Sequence, residues 1–209
     1  MEIRYFGHSC FALIDKSGKS VLTDPYTKVG YELPIGLSAD VVTASHAHFD
    51  HKYIDAIAYN RLIDEAGQQA SNIIGIESYH DPKKGALRGK NIIYKITIDD
   101  IVFCHLGDLG EAVYSEILEK IGKVDVLMIP IGGTYTIDAV QAKAYVDALQ
   151  PKTVIPMHYR PSDGVLDIET ADTFLKLFNE EEIERIPSGE TQYDLNTDRK
   201  RILYMERIK

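Results

Sequence analysis

The stretch Asp40-Val41-Val42-Thr43-Ala44-Ser45-His46-Ala47-His48-Phe49-Asp50-His51 decides how the rest of the chain is read. Its first five residues form a short run that reads as a buried strand. Within the next positions stand three imidazoles and a carboxylate: His46, His48, Asp50 and His51. Packing does not explain four such side chains in one place, because histidine and aspartate are uncommon ways to fill space. Ligand-type residues at the C-terminal end of a strand sit where α/β proteins place their chemistry. His46 and His48, two apart in extended backbone, project to one side and can grip one divalent ion. Asp50 and His51, on the turn that follows, look like the start of a second site. A catalytic zinc takes about three protein ligands and keeps a position for water, so each half needs partners from elsewhere.

His80, Asp108 and His158 are the candidates, since each follows an apolar strand and precedes a loop. A carboxylate such as Asp108 can bridge two ions held roughly 3.5–4 Å apart. The expected assembly is His46, His48 and His80 on one ion, Asp50, His51 and His158 on the other, and Asp108 between. His105 competes with His80. It lies inside a strand three residues before Asp108, so alternation turns the two side chains to opposite faces, and His105 reads as a packed residue. Asp24 reads either as a strand-end residue or as a carboxylate orienting a ligand imidazole, and His8 as a turn residue or a wall of the cleft. Tyr135, Tyr159 and Arg160 flank strand ends. Arg160 would suit a phosphate or carboxylate, although ordinary surface is the simpler reading for all three.

Bulk properties narrow the class. A chain of 209 residues with 44% hydrophobic and 26% charged residues is expected to form one domain, residues 1–209, with a sizeable core. The formal charge is −9 and the 23 Lys and Arg are spread along the chain, which argues against an extended nucleic-acid footprint. A small anionic substrate stays compatible, because bound metal ions reverse the local sign. Cys10 and Cys104 fit neither a disulfide framework nor a cysteine zinc site and read as small buried residues. The first residues are too short and charge-broken an apolar run for a signal peptide, and no stretch approaches membrane-span length. Cytoplasm is the expected location; oligomeric state is not readable.

Strands are expected at 2–6, 9–15, 20–24, 40–44, 72–77, 91–98, 101–106, 124–130 and 152–155, with later ones near 183–186, 191–195 and 201–207. Residues 16–19 read as a hairpin turn and 26–39 as a loop. Helical character is expected over 53–65, 111–121 and about 167–179. A further helix should begin at Asp138, where Gln141 three residues on completes a capping box, and run to about Leu149. A strand group followed by βα units in each half suggests two β-sheets face to face with helices outside, an α/β sandwich in four layers.

His46-Ala47-His48-Phe49-Asp50-His51 resembles the HxHxDH signature of the metallo-β-lactamase superfamily. A lone His80, Gly107-Asp108 and a late His158 fall in that family's order. Gly7-His8-Ser9-Cys10-Phe11, Thr23-Asp24-Pro25 and Ile155-Pro156-Met157-His158-Tyr159 are similar to its branch of small metal-dependent hydrolases that includes L-ascorbate-6-phosphate lactonase. The resemblance implies the αββα metallo-β-lactamase fold, with two mixed sheets and helices outside, and a binuclear site. Ligand type puts Zn2+ first as the cofactor, with Mn2+ or Fe2+ allowed.

The leading expectation is hydrolysis of a small-molecule substrate, at a phosphodiester or a lactone or other ester bond. Metal-activated hydroxide would attack, with Asp50 as the catalytic residue that orients it. A di-iron redox protein is the alternative, and His48 counts against it because such relatives carry Glu there. A non-catalytic metal-binding protein is the third reading.

Overall fold

A computed structural model describes residues 1–189, 195 and 200–208. The period-2 alternation of its apolar residues builds two sheets. In the first, β1 (Glu2–Gly7), β2 (Cys10–Ile14) and β3 (Ser20–Thr23) run antiparallel. Then β4 (Ser38–Thr43) and β5 (Ala58–Ile63) join in parallel, giving the order β1-β2-β3-β4-β5.

The second sheet contains β6 (Gln69–Ala70), β7 (Ile73–Tyr79), β8 (Lys90–Ile98), β9 (Ile101–His105), β10 (Val126–Pro130), β11 (Thr153–Met157), β12 (Ile183–Ile186) and β13 (Arg201–Met205). Their order is β12-β13-β11-β10-β9-β8-β7-β6. The ladders from β6 to β9 are antiparallel, and those from β9 through β12 are parallel. Both sheets are mixed, as expected.

Alternation assigns each face. Ile3, Tyr5, Phe11 and Leu13 of the first sheet pack against Tyr94, Ile96, Phe103 and Met128 of the second. On the second sheet's other face, Ile93, Cys104, Leu127 and Val154 bury the apolar stripes of α1 (Ser115–Ile121), α2 (Ala139–Leu149) and α3 (Asp172–Leu175). All five residues of β10 are buried, because a central parallel strand is covered on both faces. Asp138 and Gln141 form the expected capping box on α2.

The helical expectation over 53–65 is overturned. Ala58–Ile63 is a strand paired in parallel register with β4, from Ser38↔Ala58 to Thr43↔Ile63. Spacing of Ile54, Ile57 and Leu62 suits a helix, but edge pairing satisfies the backbone and exposes Tyr59, Asn60 and Arg61, which tolerate an edge. Loop segments carrying Tyr26, Val29 and Ile57 therefore cover the outer face of the first sheet. The helix expected over 111–121 begins only at Ser115, and that over 167–179 shortens to Asp172–Leu175. Residues 168–170 stay outside the helix, where Glu169 pairs with Gly132 and Arg160 through the backbone. Of the strand expected at 191–195, only Leu195 lies within the described residues.

Polar ties join the two sheets at one edge. Tyr94 Oη on β8 donates to the carbonyls of Ala44 and Ile63, at 3.0 and 2.8 Å. Ile92 N–H donates to Ser45 O, and His158 N–H to His8 O, each at 2.9 Å. Among the described residues, no helix is long and apolar enough to cross a membrane.

Candidate metal centre

At that edge the loops after β1, β3, β4, β7, β9 and β11 converge. They deliver His8, Asp24, His46–His51, His80, Asp108 and His158 respectively. Three of these residues turn the chain sharply: His8, Asp24 and His158 have φ of 52°, 39° and 51°. His and Asp enter this left-handed region more readily than branched residues do. Before Asp108 the turn is made by Gly107 (φ 55°), where a Cβ would collide with Asn91 Oδ1 and with Ser45. Asn91 then fixes the Asp108 backbone: its Oδ1 accepts the Asp108 N–H at 2.8 Å, and its Nδ2 donates to Leu106 O and Ser78 Oγ.

The donor atoms fall into two groups. His46, His48 and His80 form one; Asp50, His51, His158 and His8 form the other. Within each group the ligand-type atoms all lie within 4.8 Å of one another. Asp108 reaches both: its Oδ2 is 3.2 Å from His80 Nε2, 3.3 Å from His158 Nε2 and 3.8 Å from His46 Nε2, and its Oδ1 is 3.0 Å from His51 Nε2. All seven residues expected as ligands are thus brought together around Asp108, with His8 added to the second set and His46 and His51 also grouping with Asp108.

A buried carboxylate wires two of the imidazoles. Asp24 Oδ2 accepts from His51 Nδ1 at 2.7 Å and from Ser45 Oγ at 2.6 Å, while its Oδ1 accepts the Ser45 N–H at 2.8 Å. With its proton committed to Asp24, Ser45 Oγ accepts from His46 Nδ1 at 2.9 Å. The network assigns protons to Nδ1 of both His46 and His51. Their Nε2 atoms are thereby turned toward the centre, one in each donor group.

Among the described residues, several buried ligand-type atoms there have no hydrogen-bond partner: His46 Nε2, His80 Nδ1, both ring nitrogens of His158, and Asp108 Oδ1. Such groups are costly to bury unsatisfied, and imidazole with carboxylate is the donor set of a hard-to-borderline divalent ion. The residues therefore fit a metal centre. The local field is uneven. Burial and the His51 imidazole hold His46 well below the usual histidine range. Burial, with His158 beside it, lowers His8 to about 4. Burial opposes charge on His51, yet Asp108 and then Asp24 raise it well above the ordinary value. Burial would raise Asp108, but His158 and His51 hold its carboxyl well below the usual range.

Asp24 makes the expected contact with a candidate ligand. His105 is packed, as expected: its Nε2 donates to Ser9 O at 2.9 Å and its Nδ1 accepts the Gly107 N–H at 3.2 Å. Tyr159 is buried rather than surface, with its hydroxyl donating to Met205 O; Arg160 is exposed and Tyr135 partly so. His8 goes beyond a cleft wall, standing 3.2 Å from His51 Nε2 and 3.4 Å from Asp50 Oδ2. Ser45 and Asn91 were not foreseen; a polar Asn91 opening the apolar run of β8 was the available signal.

The fold and this centre define a class that comparison makes explicit. The model of the beta-lactamase superfamily domain matches residues 2–158. The chain belongs to this superfamily of metal-dependent hydrolases. It is similar to a UPF0173 metal-dependent hydrolase of Thermoplasma acidophilum, 27% identical over 193 residues, covering 78% of this chain and 85% of the relative. It also resembles the crystal structure of a Thermotoga maritima protein assigned to the metallo-beta-lactamase superfamily as a Zn-dependent hydrolase. That pair is 37% identical with a TM-score of 0.80, covering 98% of each chain. A metallo-hydrolase from Ignicoccus hospitalis shares the fold at TM-score 0.59 and 23% identity, over 76% of this chain and 82% of that one.

Proposed function

We propose that the protein is a hydrolase with a binuclear centre, acting as one domain on a phosphodiester, lactone or other ester bond of a small, anionic substrate. The observation that supports this reading is the pair of ligand-type groups with Asp108 in reach of both, where His46 Nε2 and His158 Nε2 have no hydrogen-bond partner among the described residues. His46, His48 and His80 would hold one divalent ion, Asp50, His51 and His158 the other, with Asp108 between and zinc the first choice. When bound, such a pair supplies hydroxide at neutral pH by lowering the pKa of water and stabilises developing negative charge.

The chain's own residues do the positioning. Asp24 and Ser45 hold His46 and His51 in the tautomer that presents Nε2. Asp50, whose Oδ2 lies 3.4 Å from His8 Nε2, would orient the nucleophile. Its low proton affinity, with burial outweighed by His8 and His51, keeps it an acceptor. Buried free Cys10 and Cys104 suit a reducing cytoplasm.

His48→Ala and Asp108→Ala should each abolish metal-dependent turnover across a panel of phosphodiesters, lactones and thioesters, with circular dichroism unchanged. Full activity in either variant contradicts the reading.

A further inference from the structure

The segment Pro82-Lys83-Lys84-Gly85-Ala86-Leu87-Arg88-Gly89-Lys90 carries four cations and no acid, in a chain of formal charge −9. It is not a loose tail of charge. Asp81, next to His80, accepts the backbone N–H groups of Lys83, Gly85, Leu87 and Arg88 at 2.8, 3.2, 3.0 and 2.8 Å. Gly89 N–H closes on Gly85 O at 2.9 Å, and Gly89 O accepts the His80 N–H at 3.1 Å. One carboxylate thus folds the basic loop and fastens it to a member of the first donor group.

The loop sets Arg88 in the wall of a cavity of about 530 Å³ that His46 and His48 also line. At the edge of that wall the Arg88 side chain reaches the neighbouring loop, where its Nη2 donates to Thr134 O at 3.0 Å and the guanidinium lies 5.7 Å from the Tyr135 ring centroid. These contacts hold the side chain without neutralising its charge. Among the described residues, no carboxylate lies within ion-pair distance of Arg88. The acids of the same wall are engaged elsewhere: Asp64 with Lys52 at 2.6 Å, Glu77 with Lys90 at 2.8 Å, and Glu65 with Gln68. A guanidinium presents five N–H donors in a planar fork that matches carboxylate and phosphate oxygens.

We propose that Arg88, held by the Asp81-folded loop, is a specificity-determining residue that binds an anionic group, phosphate or carboxylate, carried by the substrate beside the bond that is cut. Its role as a substrate binder rests on the hydrolase reading above; its ability to bind an anion does not.

The first measurement is calorimetric titration of zinc-loaded protein with inorganic phosphate. Arg88→Ala should weaken binding at least about tenfold, as expected on losing a charge-assisted partner. Arg88→Lys should fall between, keeping the charge and losing the fork. Equal affinities in wild type and Arg88→Ala, or no uptake by wild type at millimolar phosphate, overturn the assignment. The second measurement compares p-nitrophenyl acetate with the mono-p-nitrophenyl ester of succinic acid, which adds a carboxylate to the same kind of bond. Arg88→Ala should reduce the preference for the succinate ester about tenfold, mainly through KM; an unchanged preference overturns the specificity role. Intact phosphate binding with neither ester cleaved by wild type would contradict the ester branch of the hydrolase reading and Arg88 as its specificity residue, leaving Arg88 as an anion site.

Discussion

The two sheets contribute to the centre in different ways. The first sheet's residues are wired: Asp24 ties His51 directly and His46 through Ser45, with contacts of 2.6–2.9 Å. In the second sheet Asn91 fixes the Asp108 backbone, but the imidazoles are less tied. Among the described residues, His80 Nδ1 and both ring nitrogens of His158 have no hydrogen-bond partner, and these rings are positioned by strand ends and by packing. The first half is therefore preorganised by hydrogen bonds within the protein. The second half relies more on packing, so ion binding should order it most.

Breaking the wired half should have the largest effect. Asp24→Ala leaves His51 Nδ1, Ser45 Oγ and the Ser45 N–H without their acceptor, all buried. We expect a loss of about 3–5 kcal/mol in denaturant unfolding, as for removal of one partner of a buried charged pair, and zinc affinity lowered roughly 10–100-fold. Chelation should come next. Removing ions present at a hundredfold excess over Kd costs about 2.7 kcal/mol of apparent stability, read as a fall in Tm. Hydrogen exchange should then rise more around His80 and His158 than around Asp24 and Ser45; equal deprotection would erase the contrast between the halves.

Asn91→Ala tests how Asp108 is held. Its loss strands the buried Asp108 N–H, which Asn91 Oδ1 accepts at 2.8 Å, and should cost about 1–3 kcal/mol. Ser45→Ala is the mildest: His46 loses its Nδ1 acceptor while His51 keeps Asp24. About 1 kcal/mol of stability and roughly tenfold in zinc affinity should go, with calorimetry showing the weakening confined to one binding event.

Much of this was legible because chemistry was concentrated. Four ligand-type residues within His46–His51 cannot be explained by packing, and His80, Asp108 and His158 each stand just past an apolar strand. His105 is packed as expected, but β9 ends there, and the Gly107 turn rather than strand alternation carries Asp108 away from it. The wiring was harder to read. Ser45 looks like an ordinary strand-end residue until Asp24 is seen beside it, 21 positions away in sequence. A turn at His8 was readable, but not that positive φ at Gly7 and His8 aims its ring at His51 and Asp50. The strand Ala58–Ile63 was misread because its apolar spacing suits a helix, and only parallel pairing with β4 decides otherwise. Local pattern speaks for side-chain faces; pairing between distant segments decides the backbone.

The central claim is that the two donor groups, with Asp108 in reach of both, hold two divalent ions. Zinc titration of chelator-stripped protein, followed by elemental analysis, tests it most directly. About two equivalents should bind per chain, as in a two-metal site, and Asp108→Ala should retain at most one at the same free zinc. A wild-type chain that saturates at one ion or none, or an Asp108→Ala chain that binds zinc as the wild type does, would contradict it.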